Sequence, residues 1–254
     1  MRVALIQYKG DKERWLDHER WLIVAIERAL RKGARLVVAP EMACTGYLFQ
    51  DQAEASRYAE RPSSPWARSL CSLASQYQAH IIIGVIEASG ASLYNSAWHI
   101  SSLGELTSYH KRLLYCEDER WAQSGASLRY DGLKYPIFEV EGRRATLAIC
   151  MDLNDDEFIE HCHEQQPELI AFPTNWIDQG EEVSPYWAWR LQGLQCYLLA
   201  ANTYGAEEQV QFRGESAVLL SEPPTLLALA PREGDLLIEL DLPHPNKVGQ
   251  PSGA

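Results

Sequence analysis

The run RATLAIC (residues 144–150) ends on a cysteine, and the polar segment MDLNDDE follows it directly. An apolar run of this length, bounded by polar residues, is typical of a buried strand. Two further reactive side chains take the same position, since Glu41 follows LVVAP and Lys111 follows ELTSYH. Catalytic and ligand groups of open α/β layers lie beyond the carboxyl ends of strands, so this placement indicates functional roles for Glu41, Lys111 and Cys150.

Each of these three residues also has a structural interpretation. A glutamate after a proline is commonly part of a solvated turn, and a single lysine is commonly a surface charge. A cysteine flanked by apolar residues is commonly part of the core. Taken singly, the three residues favour these structural interpretations.

Strand-like and helical segments alternate along the chain. We predict strands at residues 2–8, 36–39, 80–87, 93–100, 105–110, 144–150, 168–172, 198–205, 215–220, 225–229 and 235–240. We predict helices from a cap at Asp11 to Gly33, over 64–78, over 155–165 and from Pro185. This interleaving favours a single layered α/β domain over residues 1–243. The Pro- and Gly-rich segment 244–254 is expected to be a mobile tail or to lie across another surface.

The charge of the chain narrows the classes of partner. The formal net charge of the 254 residues is −12, and the sequence pI is about 5.1. An acidic field repels phosphate backbones and anionic lipids, so nucleic acids and membrane surfaces are not expected as partners. The sequence has no run of the ~20 apolar residues needed to span a bilayer. The N-terminal segment lacks the apolar core and cleavage site of a secretory signal, so we predict a cytoplasmic protein.

The cysteines and histidines do not predict a metal site. Six cysteines, at positions 44, 71, 116, 150, 162 and 196, show no metal-site spacing, and we expect reduced thiols. His161, Cys162 and His163 fan over roughly 200° of a helix and cannot converge on one ion, so a solvated helix face is expected. The motifs GxGxxG, GxxxxGKS/T and GxSxG are absent, so nucleotide binding and serine-hydrolase chemistry are not indicated.

Four segments, in this order, resemble the successive signatures of the nitrilase (carbon–nitrogen hydrolase) superfamily. They are LVVAPEMACTGY (36–47), YHKRLLY (109–115), LAICMDLNDDEF (147–158) and IAFPTNW (170–176). The first strand, Asn202, Gly205 and the RGES segment at 213–216 extend the resemblance over nearly the whole chain. Asp152, two positions after the cysteine, resembles amidase-type members, whereas nitrile-cleaving members more often carry Trp–Glu there.

The resemblance implies a Glu–Lys–Cys triad. Cys150 would attack the carbonyl carbon of an amide and form a thioester that water then hydrolyses. Glu41 would act as the general base for both steps. Lys111 would stabilise the tetrahedral oxyanion together with the backbone N–H of Met151.

The resemblance also implies a second acid and a substrate pocket. The stretch CEDERWAQSG offers Glu117 and Glu119 for a substrate-orienting or proton-shuttling role, and Glu119 fits better by its distance from Tyr115. An exposed acidic loop is the alternative. The pocket residues implied by the resemblance are Tyr47, Asn175 and Trp176. Trp187 and Trp189 either join Trp176 in an aromatic pocket or belong to the core or a dimer interface.

Similar proteins have a four-layer α–β–β–α sandwich and commonly pair into homodimers, and we expect both here. No cofactor is expected. The substrate is expected to be a small-molecule amide, and ω-amides of dicarboxylic acids, N-carbamoyl compounds and small aliphatic amides all stay open. A catalytically silent binding protein of the same fold is the alternative to an amidase. Such a protein would be expected to lose Glu41, Lys111 or Cys150, and all three are present.

Overall fold

Two sheets form the inner part of the molecule. The computed structural model describes residues 1–115 and 118–243, so Cys116, Glu117 and the predicted tail 244–254 lie outside the described residues. The strands, in chain order, are β1 (Arg2–Gln7), β2 (Leu36–Val38), β3 (His80–Ser89), β4 (Ser92–Ile100), β5 (Leu106–His110), β6 (Ile137–Val140), β7 (Arg143–Leu147), β8 (Leu169–Thr174), β9 (Tyr197–Asn202), β10 (Tyr204–Glu207), β11 (Val210–Arg213), β12 (Ala217–Leu220), β13 (Thr225–Leu229) and β14 (Leu236–Asp241).

Each of the two sheets has six strands with a parallel centre. The first sheet has the order β14-β1-β2-β3-β4-β5, in which β1, β2 and β3 are parallel. The second has the order β13-β12-β9-β8-β7-β6, in which β7, β8 and β9 are parallel. The parallel strands β2, β8 and β9 are buried along their whole length. Strands covered on both faces read as continuous apolar runs and not as alternating patterns, which explains segments such as LVV and LIAF.

Helices cover the outer face of each sheet. They are α1 (Trp15–Arg31), α2 (Gln52–Ala55), α3 (Pro65–Tyr77), α4 (Asp156–Gln165) and α5 (Ser184–Arg190). Leu22 and Ile26 of α1 and Leu70 of α3 pack in one core cluster with residues of the first sheet. Phe158 of α4 and Trp187 of α5 pack in a second cluster with residues of the second sheet. None of these helices is both long and apolar enough to cross a bilayer.

The two sheets pack face to face between the helices. Leu5, Val38 and Ile82 of the first sheet join Leu147 and Leu199 of the second in one buried cluster. Strands β2 and β3 contact β8, and β1 and β2 contact β9. The layers are therefore helix, sheet, sheet and helix, and the expected four-layer α–β–β–α sandwich is confirmed.

Most predicted strands and helices are present, with differences at their ends. The strand predicted at 144–150 ends at Leu147, and a 3₁₀ turn (Cys150–Asn154) begins at the cysteine itself. The strand predicted at 198–205 is divided into β9 and β10, and neither β6 nor β11 is predicted. Asp11 is not the cap of α1, because the helix begins at Trp15 and Asp11 instead accepts the N–H of Arg14 at 2.9 Å.

Candidate active site

Residues that follow strands of both sheets meet at one end of the sandwich. Lys111 directly follows β5, Asn175 directly follows β8, and Glu41 lies just beyond β2. Lys111 Nζ donates to Glu41 Oε1 at 2.7 Å, and the backbone N–H of Asn175 donates to Glu41 Oε2 at 2.8 Å. The structure thus brings Glu41 and Lys111 together and joins them to the second sheet.

The backbone at Glu41 packs directly against β3. A Cβ atom on Gly84 would lie 2.3 Å from the Cα of Glu41, so this close approach requires glycine. Met42, the next residue, has a φ of 43° in the left-handed region, which turns the chain sharply after Glu41. The close approach and the turn hold the Glu41 side chain in the interior, where the residue is 1% exposed.

Four side chains form a buried polar cluster that we call the ionic floor: Glu41, Asn95, Lys111 and Glu119. Besides Glu41, Lys111 Nζ contacts both carboxylate oxygens of Glu119, at 2.8 and 2.9 Å. Asn95 Nδ2 donates to Glu41 Oε1 at 2.6 Å and also to Glu119 Oε1. Each of the four residues is at most 1% exposed. The charges of the floor are therefore removed from water and paired with one another.

The floor includes Glu119, whose role as the second acid the sequence left undecided, and Asn95, which the sequence did not indicate. Glu119 is fully buried, so the alternative of an exposed acidic loop is wrong for this residue, while Glu117 lies outside the described residues. Asn95 is a polar residue within the mostly buried strand β4, SLYNSAWHI. A buried amide needs hydrogen-bond partners, so an asparagine within a buried strand indicates a polar cluster in the interior. Sequence reasoning misses this signal.

Burial and charge act together on the pKa values of the floor. Burial alone would lower the pKa of Lys111, but Glu119 and Glu41 outweigh burial and raise it above its usual range. Burial raises the pKa of Glu41, Lys111 opposes this rise, and Glu119 adds to it. The result is a permanent ammonium beside a carboxylate that is more basic than an exposed glutamate.

Cys150 lies beside the floor, on the 3₁₀ turn after β7. Its φ is 43°, in the left-handed region, and the residue is 7% exposed. Burial and the charge of Glu41 raise the pKa of the Cys150 thiol to about 12, although Lys111 acts to lower it. The thiol is therefore protonated at neutral pH, and it needs a base to become a nucleophile.

A further buried carboxylate, that of Asp152, connects the segment after Lys111 to the turn that holds Cys150. Its Oδ1 accepts the backbone N–H groups of the two residues after Lys111, at 3.0 and 2.9 Å. Its Oδ2 accepts the Tyr109 hydroxyl at 2.7 Å and the N–H of Ile149 at 3.1 Å. Burial raises the pKa of Asp152 to about 6, against the effect of these donors. One side chain thereby holds the segments that carry the cation and the thiol.

A cavity of about 480 Å³ opens at Cys150. This volume lies within the range of about 300–1,000 Å³ that is typical of small-molecule sites. A large part of the lining comes from residues 176–186, which we call the entrance wall. The predicted pocket residues are all in the lining, and Met151 is as well; outside the wall, the lining includes Tyr47, Cys150, Met151, Asn175 and Arg213.

The three neighbouring tryptophans have different surroundings. The N–H of Trp176 donates to Asn202 Oδ1 at 2.9 Å, and its ring meets the ring of Trp187 edge-on at 5.6 Å. Trp187 is fully buried in the core, whereas Trp189 is 60% exposed. Trp176 therefore belongs to the cavity, Trp187 belongs to the core, and Trp189 lies at the surface.

The described ranges contain no group of histidine, cysteine and carboxylate side chains that could hold a metal ion. The expectation of a solvated face at His161 and Cys162 is wrong, because both residues are buried on α4 together with Phe158. These three lie on the inner stripe of an amphipathic helix. The reactive groups that the described residues do bring together are a thiol, a carboxylate and an ammonium.

Comparison with known proteins gives one family for nearly the whole chain. The family model described as carbon–nitrogen hydrolase matches residues 2–242. The protein N-terminal amidase of Schizosaccharomyces pombe is 28% identical over 265 residues, which cover 86% of this chain and 91% of that protein. The nitrilase of Pyrococcus abyssi is 26% identical over 223 residues, which cover 85% of this chain and 80% of that protein.

Solved structures share the four-layer architecture. The crystal structure of an amidase from Nesterenkonia sp. aligns with a TM-score of 0.78 at 22% identity. The alignment covers 98% of this chain and 93% of that chain. At this level of identity the likeness shows a common fold.

Proposed function

Because the chain belongs to the carbon–nitrogen hydrolase family, we propose that it hydrolyses a non-peptide amide bond through Cys150, Glu41 and Lys111. The chain is an enzyme acting on carbon–nitrogen bonds, and the proposal concerns the bond type and the residues. One observation carries it. The fully buried Lys111 Nζ contacts Glu41 at 2.7 Å and Glu119 at 2.8 Å, beside a thiol that opens into a cavity.

In the first step, Cys150 is acylated and the amine is released. Glu41 takes the thiol proton as the sulfur forms a bond to the carbonyl carbon, and the carbonyl π electrons move to the oxygen. The C–N bond of this tetrahedral intermediate then breaks, and the leaving nitrogen takes the proton from Glu41. The products are a thioester on Cys150 and ammonia or an amine.

In the second step, water hydrolyses the thioester. Glu41 takes a proton from water as the water oxygen adds to the thioester carbonyl carbon. The C–S bond breaks, the sulfur regains a proton from Glu41, and the carboxylic acid leaves. Glu41 thereby serves as base and then as acid in each half of the reaction.

The residue types fit the charges that the two steps create. With a pKa raised to about 12, the thiol depends on the neighbouring base, and Glu41 is more basic than usual because it is buried. The oxyanion is stabilised by the Lys111 ammonium and by the backbone N–H of Met151. Losing one such donor typically costs about 10²–10³ in rate. Glu119 is the second acid, and it holds Lys111 in place through contacts of both its carboxylate oxygens with Nζ.

A relative of the same fold has a cysteine that acts as a nucleophile at its active site. A structure of the amidase from Nesterenkonia sp. AN1 has the acetamide moiety of fluoroacetamide covalently added at the active-site cysteine. Other relatives are named protein N-terminal amidase, nitrilase and, in Bacillus subtilis, 2-oxoglutaramate amidase. The reactions in these names all break a carbon–nitrogen bond. We assign a small-molecule amide as the substrate here, because Asp152 resembles the residue that amidase-type members have at this position.

The proposal also covers the domain organisation, the oligomeric state and the cellular compartment of the enzyme. Residues 1–243 form a single hydrolase domain. The exposed Trp189 on α5 offers an aromatic surface for a homodimer contact. Free thiols at Cys44, Cys71, Cys150, Cys162 and Cys196 are compatible with the reducing cytoplasm. The reaction needs no cofactor, because the triad supplies the base, the nucleophile and the cation.

Ammonia release from a panel of amides tests the proposal. The panel contains aliphatic amides, ω-amides, N-carbamoyl amino acids and nitriles, and Cys150→Ala serves as the control. We expect release from at least one amide and none from the variant. Silence with every compound, together with a Cys150 thiol that no alkylating reagent modifies, would favour the catalytically silent binding protein.

A further inference from the structure

Around the cavity, the positive charge of Arg213 is paired with carboxylates, whereas the negative charges of Glu181 and Glu182 have no partner among the described residues. From these charges we infer that the site selects an amide that also carries an ammonium group and discriminates against an amide that carries a carboxylate. This inference rests on the proposed amide hydrolysis and names the substrate class of the same site. It follows from Arg213, from two glutamates of the entrance wall, and from the inner end of the cavity.

Arg213 is the cation that lines the cavity within the described ranges, and its charge is already neutralised. Its Nε and Nη2 donate to Glu215 at 2.8 and 3.0 Å, and its Nη1 donates to Asp178 at 2.9 Å. Arg232 contacts the other carboxylate oxygen of Asp178, so the group of four charges sums to zero. Each of the three guanidinium nitrogens of Arg213 already donates to a carboxylate of the protein, and the Nε–Nη2 fork is occupied by Glu215. Arg213 is therefore a weaker partner for the carboxylate of a substrate than a free guanidinium would be.

Glu181 and Glu182 of the entrance wall carry charges that no described residue balances. Both side chains are exposed, and both line the cavity. Neither makes an ion pair or a hydrogen bond with another described residue. A substrate that enters the cavity therefore passes two negative charges, which attract an ammonium group and repel a carboxylate.

The groups at and behind the inner end of the cavity also favour an ammonium group over a carboxylate. The buried ionic floor, which does not itself line the cavity, contains two carboxylates, Glu41 and Glu119, against one ammonium, that of Lys111. Asn175 lines the cavity, and its buried Oδ1 has no hydrogen-bond partner among the described residues. An ammonium group has three N–H donors for such acceptors, whereas a carboxylate has none.

Three amides of similar length that differ in charge test the inference: 4-aminobutyramide, butyramide and succinamate. We expect kcat/KM at low salt to fall in that order. The first and last compounds are expected to differ by about tenfold or more, the size of two exposed ion pairs. The difference should shrink at about 0.5 M salt, where exposed charges are screened over a few ångströms.

A peptide pair distinguishes two sources of the ammonium group. Asparaginylglycine is compared with its N-acetylated form, and the free amine is expected to be preferred. A higher kcat/KM for asparaginylglycine than for 4-aminobutyramide assigns the group to a peptide N-terminus. The reverse order assigns it to a small amine, and the preference for a cation holds in both cases.

Charge-removing variants connect the preference to the wall. The variant Glu181→Gln/Glu182→Gln is expected to lower the ratio of kcat/KM for 4-aminobutyramide over succinamate by about threefold to tenfold. Glu164→Gln is the matched control, because Glu164 is an exposed glutamate of α4 that does not line the cavity. The control variant is expected to leave the ratio unchanged.

Three results would overturn the inference. Turnover of succinamate as fast as, or faster than, that of 4-aminobutyramide would refute the selection by charge and leave amide hydrolysis intact. Equal effects of the wall variant and of Glu164→Gln on the ratio would show that the wall does not carry the preference. No turnover of any amide, with no acylation of Cys150, would remove the proposed function and the inference with it.

Discussion

The ionic floor and the entrance wall meet at Cys150, yet they hold their charges in opposite ways. In the floor, Glu41, Lys111 and Glu119 are buried, and Lys111 Nζ contacts both carboxylates at 2.7–2.9 Å. In the wall, Glu181 and Glu182 are exposed and have no partner among the described residues. A buried, paired cluster has one favourable geometry, whereas exposed side chains reorient freely in water.

This difference separates reaction chemistry from selectivity. Removing a member of the floor leaves an unpaired charge in a region of low dielectric, which is costly. Removing a polar contact of the exposed wall has a small effect, because solvent already screens that interaction. A change in the floor or in the thiol is therefore expected to cost orders of magnitude in rate, and a change in the wall only a few-fold.

Replacing the nucleophile is expected to have the largest effect. Cys150→Ala removes the atom that bonds to the substrate, so kcat is expected to fall by at least about 10⁴-fold. The fold is expected to persist, because the side chain is small and Ala fits the same space. Steady-state ammonia release measures the rate, and thermal unfolding measures the stability.

A second cysteine provides the control for this change. Cys71, on α3, is a free thiol outside the cavity lining, and Cys71→Ala is expected to keep the activity. If Cys150→Ala retained turnover while Cys71→Ala lost it, the assignment of the nucleophile would be wrong.

Neutralising the base is expected to have the next largest effect. Glu41→Gln keeps the shape of the side chain but cannot accept the thiol proton, so kcat is expected to fall by about 10²–10⁴-fold. Pre-steady-state kinetics are expected to show slower acylation and slower deacylation. An unchanged rate would mean that another group is the base.

The pH profiles of the native enzyme and of Glu41→Gln give an independent check that Glu41 is the base. Burial raises the pKa of Glu41, and the carboxylate must be ionised to act as a base. The kcat/KM of the native enzyme is therefore expected to fall as the pH falls through that raised pKa. The Glu41→Gln variant is expected to lack this acid limb.

Removing the cation of the floor is expected to affect stability as well as rate. Lys111→Met leaves Glu41 and Glu119 buried without a positive partner, which is expected to cost about 3–5 kcal/mol of unfolding free energy near neutral pH. Burial raises the pKa of Glu41 and Lys111 opposes this rise, so without Lys111 the pKa of Glu41 is higher still in the folded state and protonation at lower pH favours folding. The deficit relative to the native enzyme should therefore shrink as the pH falls, as measured by urea unfolding.

A double variant checks the cause of that deficit. Lys111→Met/Glu119→Gln removes one carboxylate together with the cation, and it is expected to recover part of the lost stability. A deficit below about 1 kcal/mol in Lys111→Met would contradict a buried ionic cluster, because exposed pairs are worth no more than that.

A change in the entrance wall is expected to have the smallest effect. The Tyr186 hydroxyl donates to Asn154 Oδ1 at 2.5 Å, and Tyr186 is 37% exposed. Tyr186→Phe removes this one hydrogen bond, so KM is expected to rise by about twofold to threefold, with a smaller change in kcat. A loss of activity as large as that of a floor variant would remove the distinction between floor and wall.

The same distinction decides how far the sequence predicts the site. Glu41 and Lys111 of the floor are predictable because each lies just after a segment predicted to be a strand, and strand ends on one side of the sandwich meet. The left-handed backbone conformation of Cys150, at the start of the 3₁₀ turn, is not visible in RATLAIC. There the apolar run continues to the cysteine although β7 ends at Leu147. Asn95 is missed because one amide in a strand carries no periodic signal.

The entrance wall is not predictable from its own residues. The segment WIDQGEEVSPY (176–186) has neither helical nor strand periodicity along most of its length. Its place is set by distant parts of the chain, since Asn202 binds the N–H of Trp176 and Phe212 pairs with Ile177. Such contacts depend on the packing of β9 and of the β10–β11 hairpin, which local sequence does not report.

Intact-mass analysis of the enzyme during turnover of an amide tests the central claim most directly. We expect a covalent adduct with the mass of the acyl group, which peptide mapping places on Cys150 among the six cysteines of the chain. The adduct should form together with an equivalent of ammonia and should be absent in Cys150→Ala. Turnover without any adduct under rapid quench, or an adduct on another cysteine, would contradict the proposed nucleophile.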